Sequence, residues 1–205
     1  MKKKLLLTFA FVGLLFGANT ANAQVEEGNV IIDPYYGYPN FGKNLVNGLL
    51  DPDATDVTSK GIGPLGLRVE YMLADNLGLG LDFIYNSSGA EGSYLGTDSL
   101  GMTQTYTDKF LMQRIRVMLR FNFHFVQTDA LDAYVGAGAG YNTRIWSYES
   151  TDPDFEAPSS VTGALLPVAF RAAIGARYYF HPNIGLNAEL GIGGPVLSGG
   201  VSVKF

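Results

Sequence analysis

Between Phe110 and Phe125 the chain alternates residue by residue between two environments that cannot share one surface. Leu111, Ile115, Val117, Leu119, Phe121, Phe123 and Phe125 fall on one parity, and Arg114, Arg116, Arg120, Asn122 and His124 on the other. Successive side chains of a strand point to opposite faces, so a β-strand sorts these two sets cleanly. Helical spacing would scatter both around the circumference. The stretch from Leu166 to Phe180 repeats the pattern, with Val168, Phe170, Ala172, Ile174, Ala176, Tyr178 and Phe180 against Arg171, Ala173, Gly175, Arg177 and Tyr179. The chain must therefore build a sheet with one apolar and one charged face.

Eight strands are read in this way, over Asn29 to Tyr38, Ile62 to Leu73, Leu77 to Tyr85, Phe110 to Phe125, Ala133 to Trp146, Leu166 to Phe180, Ile184 to Ile192 and Leu197 to Phe205. The connections alternate in length. Pro39 to Gly61, Asn86 to Lys109 and Ser147 to Leu165 are long and Gly193 to Val196 is shorter, whereas Ala74 to Asn76, Val126 to Asp132 and His181 to Asn183 are short. Long-short alternation is what an up-and-down barrel shows when one rim faces the outside and the other the periplasm.

The amino terminus carries an export pattern. Lys2, Lys3 and Lys4 precede an apolar run from Leu5 to Phe16, and Ala21-Asn22-Ala23 is a small-x-small site placing cleavage before Gln24. The apolar run is shorter than the ~20 residues a membrane-spanning helix needs. Residues 1–23 are accordingly read as a signal peptide and 24–205 as one barrel domain, leaving 182 of the 205 residues. Without the three signal lysines the chain keeps 11 basic against 19 acidic side chains, a net charge of −8 with histidine neutral, which argues against nucleic acid as a partner. It has no cysteine, so a disulfide framework, a thiolate metal site and a thiol nucleophile are all excluded.

Whether the apolar face meets lipid or a soluble core is decided by the other face. A lipocalin-like barrel or a sandwich would turn the charged face to water. Yet after the signal only four lysines remain, Lys43, Lys60, Lys109 and Lys204, fewer than a water-facing sheet of this size carries. Glycine also recurs on the polar face, at Gly78, Gly80, Gly136, Gly138, Gly140, Gly175, Gly185 and Gly191. That is costly on a solvated strand and useful where side chains crowd a narrow interior. Aromatic residues collect near strand ends. Tyr71, Phe121, Phe123, Phe125, Tyr178, Phe180 and Phe205 lie toward one rim and Tyr36, Tyr38, Phe83, Tyr85 and Tyr141 toward the other. Girdles of this kind suit the two headgroup boundaries of a membrane. The fold class is all-β, an eight-stranded antiparallel up-and-down transmembrane β-barrel.

The export signal, the eight alternating strands, the loop rhythm and the final Val203-Lys204-Phe205 resemble small outer-membrane barrels of the OmpA/OmpX type, within the broad outer membrane protein β-barrel domain family. The resemblance covers the whole mature chain. It implies residence in the outer membrane of a Gram-negative-type bacterium and contact with outer-membrane lipids and lipopolysaccharide. It further implies that Val203 and Phe205 act as the signal read by the barrel assembly machinery. Unlike full-length OmpA-like proteins the sequence shows no carboxyl-terminal peptidoglycan-binding domain, so cell-wall tethering is not expected. The family spans adhesins, anchors and small pores, and fold alone does not choose among them.

Inward strand positions supply Arg68, Arg114, Arg116, Arg120, Arg171, Arg177 and Lys204 against Asp33, Glu70, Asp82 and Glu189, an excess of +3. An eight-stranded barrel is just wide enough for its own side chains, so these groups are expected to form a polar plug. A turn centred on Asp75 sets Arg68 opposite Asp82, predicting an ion pair. A turn centred on Pro182 sets Arg177 beside Asn187 and diagonal to Glu189, and one centred on Asp129 sets Arg120 opposite Gly138 and His124 opposite Tyr134. The alternative to a plug is a gate, in which rearranged ion pairs open a narrow, anion-favouring pore.

Catalysis is not expected. The two histidines, His124 and His181, fall toward the short-turn rim, away from outer-leaflet lipid, and no nucleophile-base-orienter set is apparent. No cofactor is implied. The three long loops sum to a charge of −7. The run from Asp51 to Asp56 spaces oxygens closely, but it lacks the glycine and distal glutamate of an EF-hand and reads as a solvated acidic loop. Leu45, Val46, Leu49, Leu50, Tyr148 and Phe155 either meet a surface partner or pack on the rim. A soluble periplasmic ligand-binding barrel is the third class, separated from the others by fractionation.

Overall fold

A computed structural model describes residues 25–42, 55–97, 101–154, 160–163 and 167–205. Residues 1–24, which hold the expected export signal, and the loop positions Lys43, Leu45, Val46, Leu49, Leu50, Asp51, Asp53, Asp98, Phe155 and Glu156 lie outside the described residues. Ten strands are seen among those described: β1 (Val30–Tyr38), β2 (Thr55–Lys60), β3 (Leu65–Ala74), β4 (Leu77–Thr97), β5 (Thr103–Gln127), β6 (Leu131–Ser150), β7 (Ser160–Thr162), β8 (Val168–His181), β9 (Ile184–Ile192) and β10 (Leu197–Lys204).

Eight of them close into an antiparallel barrel. Pairing runs β4-β3-β1-β10-β9-β8-β6-β5 and returns from β5 to β4. The seam between first and last strands is sealed by reciprocal bonds, Val30 N to Phe205 O at 3.0 Å and Phe205 N to Val30 O at 2.9 Å. Closure leaves no unpaired strand edge around the ring, which a sheet in hydrocarbon requires. Strands β1, β3 and β9, of 9, 10 and 9 residues, match the length of a tilted membrane crossing.

The molecule is apolar outside and charged inside. Leu67, Val69, Leu119, Phe121, Phe170, Ile174 and Leu186 are exposed, while Asp33, Arg68, Glu70, Asp82, Arg120, Arg171, Arg177 and Glu189 are buried. Of the aromatic residues assigned to the two girdles, all but Tyr85 stand well exposed on the outside. The register agrees with the turn centres: Arg68 stands opposite Asp82, Arg177 opposite Asn187, Arg120 opposite Gly138 and His124 opposite Tyr134.

Two expectations about the long connections are corrected. The stretch Asn86 to Lys109 is not a loop for most of its length, because β4 and β5 stay paired rung by rung from Leu77 and Phe123 up to Thr97 and Thr103. Likewise β6 continues four residues past Trp146 to Ser150. Above the apolar band neither face meets lipid, so the side-chain alternation that reveals a strand lapses while backbone pairing continues. Short β2 and β7 then add to the outer flanks of β4 and β6, at Lys60 opposite Gly89 and Val161 opposite Trp146.

Candidate functional site

The barrel interior holds two stacked charge centres. In the first, Glu189 of β9 collects three guanidinium groups from three other strands. Arg171 donates at 2.6 and 2.9 Å, Arg120 at 2.6 and 3.1 Å, and Arg68 donates to the same carboxylate. Tyr134 adds its hydroxyl at 3.2 Å. Asp82 borders this centre, 3.6 Å from Arg120 and 3.9 Å from Arg171, and accepts the Tyr35 hydroxyl at 2.6 Å.

The second centre, nearer the short turns, is the mirror case: one guanidinium collects three carboxylates. Arg177 of β8 donates to Asp33 at 2.9 Å, Glu70 at 2.5 Å and Asp132 at 2.8 Å. His124 sits between two of these acids, with Nδ1 2.6 Å from Asp132 and Nε2 3.1 Å from Glu70. Asn122 ties the centres together, its amide donating to Glu70 at 2.6 Å and its carbonyl accepting from Arg120 at 2.7 Å. Ser202 completes the shell of Asp33 at 2.5 Å. Buried charges left unpaired would each cost several kcal/mol, so this mutual satisfaction is what makes a charged barrel interior tolerable.

Packing around the centres follows a large-against-small rule. Tyr134 lies between His124 on one side and Gly175 on the other, and a Cβ at Gly175 would stand 2.6 Å from the Tyr134 ring. The ring is then available to both centres, with the Arg177 guanidinium 4.4 Å and that of Arg120 5.7 Å from its centroid.

Eight of the ten sequence-read lumen residues meet in this network: Asp33, Arg68, Glu70, Asp82, Arg120, Arg171, Arg177 and Glu189. Their pairing differs from the ladder-based expectation. Arg68 faces Asp82 in register, yet its ion pairs run to Glu189 and to Asp33 at 3.7 Å. Arg177 binds no carboxylate of its neighbour β9 but reaches Asp33 on β1, Glu70 on β3 and Asp132 on β6. Asp132 and Asp33 are the directly opposed ladder neighbours of Arg177 and Arg68, whereas the bonds of Arg177 to Asp33 and Glu70 and of Arg68 to Glu189 join strands that do not pair. In a narrow closed tube a long side chain reaches across the lumen as readily as along its own ladder.

Asp132 was placed in a connection by the sequence and is instead an inward residue of β6, 1% exposed. Its parity with Tyr134, Gly136 and Gly138 is the signal that would have found it. Including it, four arginines meet five carboxylates, and a protonated His124 would bring the network to neutrality.

Arg114 and Arg116 do not join. They lie toward the long-hairpin rim, where Arg114 donates to Asn142 at 2.7 Å and Arg116 to the carbonyl of Gly193 at 2.6 Å. Lys204, at the opposite end, lies 5.3 Å above the Tyr179 ring. The basic excess read from the sequence is thus not spread along the lumen. Of the other residues weighed for chemistry, His124 is bound within the second centre, and His181 is exposed beside the last tight turn, accepting the Asn183 amide at 3.3 Å. Val203 on β10, between buried Ser202 and Lys204, and Phe205 just beyond the strand turn outward.

A search of curated protein sequences finds no match. Solved structures similar to this chain include the amino-terminal β-barrel domain of Pseudomonas aeruginosa OprF, at 16% identity, covering 88% of this chain and 99% of that one, with a TM-score of 0.48. OprG of the same organism is similar at 12% identity, covering 90% and 99%, with a TM-score of 0.43. Ail, the attachment invasion locus protein of Yersinia pestis, is similar at 16% identity, covering 87% and 99%, with a TM-score of 0.38. The family model described as "Outer membrane protein beta-barrel domain" matches residues 8–194. With a closed eight-stranded ring, an apolar exterior and that match over most of its length, the chain belongs to the outer membrane protein β-barrel domain family and is a barrel of the bacterial outer membrane.

Proposed function

We propose that this protein is a structural or cell-surface interaction barrel, closed to solute by its own side chains. The observation that carries this reading is the pair of interlocked centres around Glu189 and Arg177, which tie together β1, β3, β4, β5, β6, β8 and β9 across the lumen. An eight-stranded barrel has little interior to spare, and here that interior is crossed by charge-assisted bonds in two layers. The interactive part is then the long-hairpin rim, which on this reading faces outside, with both termini periplasmic after removal of residues 1–23. Lipopolysaccharide and outer-leaflet lipid surround the exposed apolar band, and the outward Val203 and Phe205 serve the assembly machinery. No nucleic acid and no catalytic role is assigned; His124 is committed to two carboxylates rather than to a nucleophile.

The alternative, a narrow pore, needs those bonds to rearrange. Planar-bilayer recordings decide between the two. On the plug reading neither wild type nor an Arg116→Ala variant conducts. Discrete single-channel steps from wild type, enlarged by Glu189→Gln, would establish the pore instead.

A further inference from the structure

Above the Glu189 centre the mouth of the barrel holds a cavity of about 300 Å³ whose lining includes Arg114, Arg116 and Arg144, together with Asn86, Phe41 and Met112. Arg114 and Arg144 are directly opposed rungs of β5 and β6, and Arg116 is two residues from Arg114 on the same face. Like charges directly opposite one another in a ladder repel. In the two lumen centres every arginine is matched by acids. Here, among the described residues, no carboxylate forms an ion pair with any of the three.

The donors are also incompletely used. Arg116 is 5% exposed, and its Nε, like that of Arg144, is buried without a hydrogen-bond partner. Buried unpaired donors on permanently charged groups are costly, and a cavity beside them offers room for what would satisfy them. The arginines are held in place by neutral acceptors, Asn142 for Arg114 and the Gly193 carbonyl for Arg116, which orient without neutralising. The segment after β1 shapes the opposite wall: the Asn40 amide donates to the Ile62 and Ser87 carbonyls at 2.9 and 2.8 Å, and its carbonyl accepts from Ser88 at 3.1 Å.

We propose that this mouth is a binding site for a phosphate-class oxyanion, gripped by Arg114, Arg116 and Arg144. Three guanidinium forks suit a multiply charged oxyanion better than a single carboxylate. The cavity exceeds the size of a bare phosphate, and its Phe41 and Met112 walls accommodate a small apolar ester group. The phosphate is either that of a soluble solute or that of neighbouring lipopolysaccharide. The site lies outside both lumen centres, so binding requires neither conduction nor any change in the plug.

Trp146 is the only tryptophan of the chain and reports on the site, because it stands opposite Met112 and one inward rung from the Arg114–Arg144 pair. The test titrates the refolded protein in lipopolysaccharide-free zwitterionic micelles with inorganic phosphate and n-butyl phosphate. Ionic strength is held with chloride and Trp146 fluorescence is followed. A saturable change is expected, tighter for the butyl ester, and weakened roughly tenfold or more in the R114Q/R144Q double variant. A lysine pair, R114K/R144K, keeps the charge but loses the forks and should fall between. Heat-shifted gel mobility certifies that each variant is folded, and Arg116→Gln stands in if the double variant is not.

Repeating the titration in lipopolysaccharide bilayers separates the sources. A response to soluble phosphate that persists there identifies a solute site; one abolished there, and restored with dephosphorylated lipopolysaccharide, identifies the lipid phosphate. No saturable response in micelles, or an undiminished one in folded R114Q/R144Q and R116Q, overturns the proposal.

Discussion

At the scale of single residues the stakes are set by which charges share a partner. Glu189 balances three guanidinium groups, so Glu189→Gln removes the charge that Arg68, Arg120 and Arg171 hold in common. Breaking a buried pair from one side costs about 3–5 kcal/mol, and urea unfolding in detergent should show a loss of that order. On the outer face the logic inverts. Leu119 is an exposed leucine of β5, opposite Leu81, and Leu119→Arg should cost up to ~2–4 kcal/mol if it lies at the bilayer midplane. The same unfolding measurement checks it. An arginine tolerated at 119 would mean that the position lies at an interface or faces inward. Inward Asn122 bridges Glu70 and Arg120, so its loss should also be felt in the lumen.

At the scale of elements the long β4–β5–β6 hairpins hold their shape by different means from the membrane band. Phe110 packs edge-on against Trp146 and Tyr148 at centroid distances of 6.2 and 5.3 Å. Tyr94 donates to Asp152 at 3.2 Å, and Asp108 accepts from Ser150 at 2.8 Å. Partial burial, then a hydrogen bond to Asp108, push the Tyr148 phenol above its ordinary range; partial burial and the nearby Asp108 and Asp152 do the same for Tyr94. A phenol whose pKa is higher folded than unfolded stabilises the fold fully below about pH 10, and that contribution is lost as pH rises through the folded value. Protease cleavage at the hairpin tips should therefore stay flat up to about pH 10 and accelerate above it. Tyr148→Phe should remove part of the protection at neutral pH, with an effect below ~1 kcal/mol because these groups are partly solvated.

At the scale of the whole molecule closure is the decisive property. Every ring strand is paired on both sides, so the barrel should open only as a unit. Unboiled and boiled samples should migrate differently on a denaturing gel, in a band that fractionates with the outer membrane. A soluble periplasmic protein with no mobility shift would overturn the lipid-inserted reading.

The strands of the membrane band, their facing and the turn-centred registers were legible in the sequence, because lipid on one side and a crowded polar interior on the other impose a two-residue period at every rung. The hairpin extensions of β4, β5 and β6 were not, since that period vanishes once neither face meets lipid. Most of the lumen residues were legible too, as inward parity positions, and Asp132 is hidden only because it stands at the edge of a short connection. Their partnerships were not legible. Asp132 and Asp33 are ladder neighbours of Arg177 and Arg68, but the reach of Arg177 to Asp33 and Glu70 and of Arg68 to Glu189 depends on distances across the tube, and those exist only when β1 meets β10 and β4 meets β5. The same closure separates the arginines into a matched interior set and an unmatched set at the mouth, a division that no spacing along one strand encodes.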